Sequence, residues 1–216
     1  MDWYKSVGVT GKKLKLRLHE DNELAHYAAA CFDVEYEFPF GWSELEGIAD
    51  RGSYDLDQHA QHSGKKLTWF DSKTNEHITP AVVEASAGVD RTVLTILVDA
   101  YHEEEVKGEQ RVVLKLNPKV APITVAVFPL VNRDGMPEIA EKIIDDLKGD
   151  FAAFFDAGGS IGRRYRRQDE AGTPYGVTVD SDTLTDQTVT VRERDSMAQE
   201  RVAMDQLSSY FRDKLR

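Results

Sequence analysis

Thr79-Pro80-Ala81-Val82-Val83-Glu84-Ala85-Ser86-Ala87-Gly88-Val89-Asp90-Arg91-Thr92-Val93-Leu94 is the stretch that decides the fold. It reads as a buried strand running into a small-residue turn that opens an amphipathic helix. Glu84 and Ser86 stand before Gly88, and Arg91 falls in the first turn of the helix. Two residues apart in extended chain, Glu84 and Ser86 point to one side of a sheet. A carboxylate and a hydroxyl there suit a small cation, the carboxylate through charge-assisted hydrogen bonds. An arginine at the helix start suits a polyphosphate, and Ala87-Gly88 lets the backbone approach closely. Taken alone, Glu84 in a strand reads first as a paired structural carboxylate.

Outward from this junction, the first part reads as antiparallel sheet. Cys31-Phe32-Asp33-Val34-Glu35-Tyr36-Glu37-Phe38 alternates apolar with acidic residues, the pattern of a half-buried strand. Pro39-Phe40-Gly41 breaks it, and residues 42–50 form a second strand paired with the first. A short helix is expected over residues 55–62, ended by Ser63-Gly64, and a strand pair over 67–70 and 78–83. The helix from residue 89 to about 106 is expected to bury Val93, Leu94, Leu97 and Tyr101 on one face.

After residue 110 the chain changes character. Residues 111–116 are a short apolar strand, and Asn117-Pro118-Lys119-Val120-Ala121-Pro122 reads as a linker. Residues 123–131 suit a strand covered on both faces, and residues 136–148 a helix with Ile139, Ile143 and Leu147 on one stripe. Strands follow at 151–155, 175–179 and 188–193, and a last helix has Asp205 as N-cap and buries Leu207, Tyr210, Phe211 and Leu215. Strands alternating with helices make a small α/β domain. The expected division is 1–118 and 119–216.

Composition bounds the function. Of 216 residues, 41% are hydrophobic and 30% charged, ordinary for a folded chain. No apolar run approaches the roughly 20 residues of a membrane span, and no signal peptide is visible. The single cysteine, Cys31, excludes an internal disulfide and a zinc site built of cysteines, and a reducing cytoplasm is the expected setting. Net charge is −11, with 14 Lys and Arg against 21 Asp and Glu up to Val120 and 13 against 17 beyond it. Neither part is a generic nucleic-acid coat, so any RNA contact needs a local patch. Arg163, Arg164, Arg166 and Arg167 form the densest one, behind the flexible Gly158-Gly159-Ser160-Ile161-Gly162. An RNA-backbone grip and a surface salt-bridged to Asp169 and Glu170 are equal readings of it. Asp180, Arg192 and Arg194 are weaker candidates.

Three stretches together carry a resemblance. They are the 79–94 junction; Gly41-Trp42-Ser43-Glu44-Leu45-Glu46-Gly47-Ile48-Ala49-Asp50-Arg51 with Tyr54-Asp55-Leu56 after it; and Ser160-Ile161-Gly162-Arg163-Arg164-Tyr165-Arg166-Arg167-Gln168-Asp169-Glu170 with Gly172-Thr173-Pro174 after it. In this order they resemble class II aminoacyl-tRNA synthetases, in the form used by glycyl-tRNA synthetase, with motif 3 at the junction. The resemblance implies an α+β first part built on a partial antiparallel class II sheet, then an α/β anticodon-binding domain with a mixed sheet. Motifs 1 and 2 would precede Met1, so the chain looks like the C-terminal half of such an enzyme.

The same resemblance implies roles. Glu84 and Ser86 take the amino group of glycine, and Arg51 is available to its carboxylate or to phosphate. Arg91 packs on adenine and reaches the terminal phosphate of ATP, tasks that suit a planar guanidinium. Glu44 lies near the ATP-bound Mg2+, which prefers oxygen ligands. Ala85 stands where the family often has proline. Partners implied are glycine, ATP and tRNA(Gly), with a homodimer for the full-length enzyme. The competing reading is a non-catalytic synthetase-like chain that binds RNA or serves as an accessory subunit. Several residues keep plainer readings: Glu46 as a solvated edge carboxylate, His26, His59 and His62 as surface histidines, and Cys31 as an inert core thiol.

Overall fold

The computed structural model describes residues 1–215. Its contacts divide the chain into two units, Met1–Thr95 and Ile96–Arg216. The first holds α1 (Asp2–Ser6), β1 (Leu14–Leu18), β2 (Ala30–Phe38), β3 (Gly41–Gly52), α2 (Tyr54–Ser63), β4 (Trp69–Asp71), β5 (Glu76–Ile78) and β6 (Val82–Ala87). It also holds the start of α3 (Val89–Ala100).

The expected alternation in β2 holds from Val34 onward, where Val34, Tyr36 and Phe38 are buried, but at its start Phe32 is 41% exposed and Asp33 is buried. β2 and β3 pair antiparallel, and the full sheet runs β1-β2-β3-β6. β1 was not foreseen, although Leu14, Leu16 and Leu18 alternate with Lys15 and Arg17. α2 stops where Gly64 takes a left-handed conformation at φ 69°. The expected strand over 78–83 is two strands instead. β5 pairs with β4, the chain crosses Thr79-Pro80-Ala81, and β6 then pairs with β3. Proline has no N–H to continue the first ladder.

β6 is an exposed edge rather than a buried strand, and Glu84 and Ser86 lie within it rather than in a turn. Glu46 is not a solvated edge residue either: it accepts a hydrogen bond from the Tyr4 hydroxyl at 2.9 Å. Burial and that carboxylate together push the Tyr4 hydroxyl well above its ordinary pKa. α3 ends at Ala100, six residues early. Val93, Leu94, Leu97 and Tyr101 are 42–50% exposed, while Thr95 and Asp99 are buried. The helix is apolar on more than one side, and the side with the small and polar residues turns inward.

In the second unit the chain reverses at once into β7 (Tyr101–Val106) and β8 (Glu109–Leu114). Lys107 and Gly108 both have positive φ, 53° and 82°, as a two-residue hairpin turn of this hand requires. Next come β9 (Val125–Pro129), α4 (Met136–Leu147), β10 (Ala153–Phe155), α5 (Ile161–Ala171), β11 (Tyr175–Val179) and α6 (Thr183–Asp186). The unit closes with β12 (Thr188–Glu193), β13 (Gln199–Ala203) and α7 (Leu207–Lys214). The sheet is mixed, ordered β10-β9-β11-β12-β13, with β9 parallel to β10 and β11 and the remaining pairs antiparallel.

The apolar run read as a doubly covered strand is β9, buried throughout. On one face Val125, Val127, Val177 and Val179 meet Ala140, Ile143, Ile144 and Leu147 of α4, with Leu207 and Phe211 of α7 in the same core. On the other face α5 lays Tyr165 over Gly176. α7 starts two residues beyond the expected Asp205, which sits in a short 3-10 turn.

Two outcomes follow for stability. A Cβ at Gly176 would lie 2.6 Å from Tyr165 and 3.1 Å from Phe128, so Gly176→Ala lowers unfolding free energy by about 1–3 kcal/mol. Gly149→Ala, with open space at its Cβ, leaves the urea midpoint where it is. The second outcome concerns acid. Burial alone would raise the Asp180 carboxyl, but hydrogen bonds from Arg201 and Thr183 outweigh it and hold the pKa below its ordinary value. Asp195 is likewise held low by Arg194, against its burial. A depressed carboxylate stabilises the fold fully above the unfolded pKa, and that contribution is lost as pH falls through the folded one. The urea midpoint therefore stays level from about pH 7 to 5 and falls below about pH 4. Arg201→Met flattens that fall.

Candidate functional site

β3 organises the first unit's polar face. Its partners in register are Ala49 with Glu84 and Gly47 with Ser86 across to β6, and Ala49 with Cys31 and Gly47 with Asp33 across to β2. Directly opposed residues share a face, so Cys31, Asp33, Glu84 and Ser86 stand on one side of the sheet. Plain alternation would send Glu44, three residues before Gly47, to the other side. A register shift between Val34 and Glu35 inserts a bulge at Leu45 and turns Glu44 back. A Cβ built on Gly47 would lie 3.4 Å from Glu44 Oε1 and 3.8 Å from Asp33 Oδ1. Glycine at 47 thus keeps the middle of this face clear.

Arg51 closes one end of the strand. Its Nε and Nη2 donate to the two Asp55 oxygens at 2.6 and 2.7 Å, and Nη1 donates to Glu84 Oε2 at 2.5 Å. Its guanidinium also stacks 3.9 Å from the centre of the Tyr27 ring. The hydrogen bond from Arg51 holds the Asp55 carboxyl below its ordinary pKa. The plain reading of Glu84 as a paired carboxylate is therefore correct, and the pair is with another residue singled out for the same site. One oxygen of Glu84 faces Arg51, which leaves the other to accept from a ligand.

Arg91 lies towards the other end. Its Nη1 donates to Ser43 Oγ at 3.3 Å and to the Glu44 backbone oxygen. It meets Glu44 through the main chain and leaves the Glu44 carboxylate out of the bond. The order along β3 is then Arg91 and Glu44, Ser86 opposite Gly47, Glu84 opposite Ala49, and Arg51. At about 3.3 Å per residue, Ser86 and Glu84 are roughly 7 Å apart and Arg91 stands about 10 Å farther along. All of Glu84, Ser86 and Arg91 are exposed, so the described residues form one open wall rather than an enclosed cavity.

Two further residues stand on this face, of which His19 carries no signal in the sequence. His19 Nε2 lies 2.7 Å from Asp33 Oδ2. Cys31, expected as a core thiol, is half-buried beside them. Strand alternation placed Cys31 and Asp33 on one face, but the pairing of β1 that brings in His19 was not read. His59 and His62 are exposed, as expected.

The second unit divides the arginines of α5. Arg164 is buried and donates to the Pro129 and Gly159 carbonyls, so it is not part of any surface patch. Arg163, Arg166 and Arg167 are exposed. Arg167 pairs with Asp156 at 2.5 Å and Arg166 with Glu109 at 3.2 Å. Asp169, expected as a surface partner of the cluster, faces the interior. There it takes Arg192 on both oxygens at 2.9 and 3.1 Å and Arg111 at 3.0 Å. Arg194 is also buried and donates to the Leu116 and Gly172 carbonyls. Asp180 is bound to Arg201 and Thr183. The weaker candidates Asp180, Arg192 and Arg194 are thus engaged in holding the fold. Arg166 borders a cavity of about 670 Å³ that Lys107, Tyr165, Arg192 and Met197 also line.

Known proteins are similar to this sequence along nearly its whole length. Residues 124–214 match the family described as anticodon binding domain. The chain is 53% identical over 216 residues to the glycine--tRNA ligase of Caldanaerobacter subterraneus subsp. tengcongensis, covering 100% of this chain and 46% of that protein. It is 50% identical over 214 residues to that of Borreliella burgdorferi, covering 98% and 48%. For Thermobifida fusca the identity is 48% over 223 residues, covering 100% and 48%. The chain spans about half the length of these curated relatives. With about half of its residues identical to these relatives along its whole length, the chain is a homologue of part of the glycine–tRNA ligases.

Proposed function

We propose that this chain supplies the glycine- and ATP-facing wall of a glycine–tRNA ligase together with the domain that engages tRNA(Gly). The observation that carries this reading is the line of groups along β3: a carboxylate and a hydroxyl for an ammonium, an arginine at each end, and a glycine keeping the middle open. Glycine's ammonium bonds to the free oxygen of Glu84 and to Ser86. Arg51, already fixed by Asp55 and Tyr27, stands beside the carboxylate. Arg91 takes the nucleotide end, and Glu44 would supply carboxylate oxygen to the Mg2+ that accompanies ATP. Oxygen from the glycine carboxylate attacks the α-phosphorus, pyrophosphate leaves, and the terminal ribose hydroxyl of tRNA then attacks the carbonyl and releases AMP. Positioning and charge do this work, and no protein nucleophile is required.

On the RNA side the reading rests on Arg163, Arg166 and Arg167, since Arg164 is turned inward. Domain limits of 1–118 and 119–216 are proposed for the catalytic portion and the anticodon-binding portion. A homodimeric enzyme in a reducing cytoplasm is the proposed setting.

Purified chain alone gives glycine-dependent ATP–pyrophosphate exchange at background, because the resemblance implies that a residue of motif 2 grips the α-phosphate. Exchange clearly above background from the chain alone overturns this division of the site. In an assembly that supplies motifs 1 and 2, Glu84→Gln raises KM for glycine about tenfold or more, the scale of a hydrogen bond to a charged group. An unchanged KM removes Glu84 from the ammonium site.

Binding of tRNA(Gly) to the chain weakens with salt. Changing Arg163, Arg166 and Arg167 together to alanine reduces the log–log salt slope by about 2, at roughly 0.7 per single-strand phosphate contact. A slope that does not move sinks the patch.

A further inference from the structure

Three donors of different kinds meet on the polar face of the first sheet, apart from the residues given to glycine and ATP. The His19 backbone N–H donates to the Cys31 carbonyl at 2.9 Å, so the ladder of β1 and β2 sets these residues side by side. Asp33 follows Cys31 on the same face of β2. A His19 ring nitrogen, the Cys31 sulfur and an Asp33 oxygen all lie within 4.8 Å of one another. Asp33 is buried, and the other two are half-buried. Backbone pairing, not a loop, brings them together.

We propose that His19, Cys31 and Asp33 form a binding site for a thiophilic divalent cation of the zinc type. A tetrahedral ion with bonds of about 2.0–2.3 Å places its ligand atoms roughly 3.3–3.8 Å apart. The widest separation here closes by about an ångström, and the 2.7 Å His19–Asp33 contact opens by about 0.6 Å. Rotation of side chains covers both changes. Imidazole, thiolate and carboxylate together select zinc over magnesium or calcium, which take oxygen alone. Three protein donors leave a fourth position for water or an outside ligand.

The charges around the site agree with a cation. Glu44 and Glu84 stand on the same face. Burial first, then Asp33 and these two carboxylates, push the Cys31 thiol above its ordinary pKa. A cation that binds there displaces the thiol proton, because the thiolate is the ligand form. Arg17 stands beside the site, with Nη1 3.6 Å from Asp33 Oδ2 and Nη2 bonded to Glu23. Glu23 retains Arg17 when Asp33 turns to the metal.

The test is Zn2+ titrated into the metal-stripped 216-residue chain in competition with a chromophoric chelator. One equivalent binds per chain, and Cys31→Ser or His19→Ala weakens it at least about tenfold, since even residues behind metal ligands act on that scale. Changing His59 and His62 together to alanine, the exposed pair on α2, leaves binding unchanged. Co2+ in the unaltered chain gives a thiolate-to-metal charge-transfer band, a readout independent of whether any variant folds. Absence of that band, no stoichiometric uptake, or binding that follows His59 and His62 overturns the site. None of these readouts depends on the ligase reading, so the two stand or fall separately.

Discussion

The pairing of β3 with its neighbours is the constraint on which the first unit's chemistry rests. Strand side chains alternate with a period of two, so a slip of one residue in the β3–β6 register sends Glu84 and Ser86 to the opposite face. The ladder to β2 acts in the same way on Cys31 and Asp33. The bulge at Leu45 adds the one departure from alternation that brings Glu44 to the face where Gly47 leaves room. A central strand with both edges paired holds that geometry better than loops would, because each backbone hydrogen bond resists the slip.

Within the second unit, arginine does two different jobs. Asp169 holds Arg111 and Arg192 in a buried cluster, and Arg111 and Arg194 also donate to backbone carbonyls. Removing one member of such a cluster leaves a desolvated charge uncompensated, which is far costlier than the pair is worth. Arginine suits this work because its planar fork satisfies several acceptors at once. The exposed Arg163, Arg166 and Arg167 keep at least part of their charge towards solvent, and that distinction, rather than the density of arginines in the sequence, defines the patch. Against the overall negative charge of the chain, the proposed RNA contact needs such a local surface.

A match of about half identity along the whole chain ties the two units to one kind of enzyme, yet the chain aligns to less than half of each relative. Glu84, Ser86 and Arg91 lie on an exposed edge strand and helix start rather than in a closed cavity. An edge strand with unpaired backbone groups invites pairing with further chain, so the same feature that leaves the wall open gives it a means of being covered.

Much was decided by the sequence alone: the buried Val34, Tyr36 and Phe38 of β2, the wholly apolar β9 and the stripe of α4 stand where their local patterns place them. These are short-range features, set by side-chain period and by glycine and proline. Tertiary structure decided what depends on partners far along the chain. It ended α3 at Ala100, exposed Val93 and Leu97, buried Arg164 and drew Asp169 inward. It also bonded Glu46 to Tyr4 and joined His19 to Cys31 and Asp33. Period tells which face a residue takes, but not which face finds a neighbour, and only the packed chain supplies that neighbour.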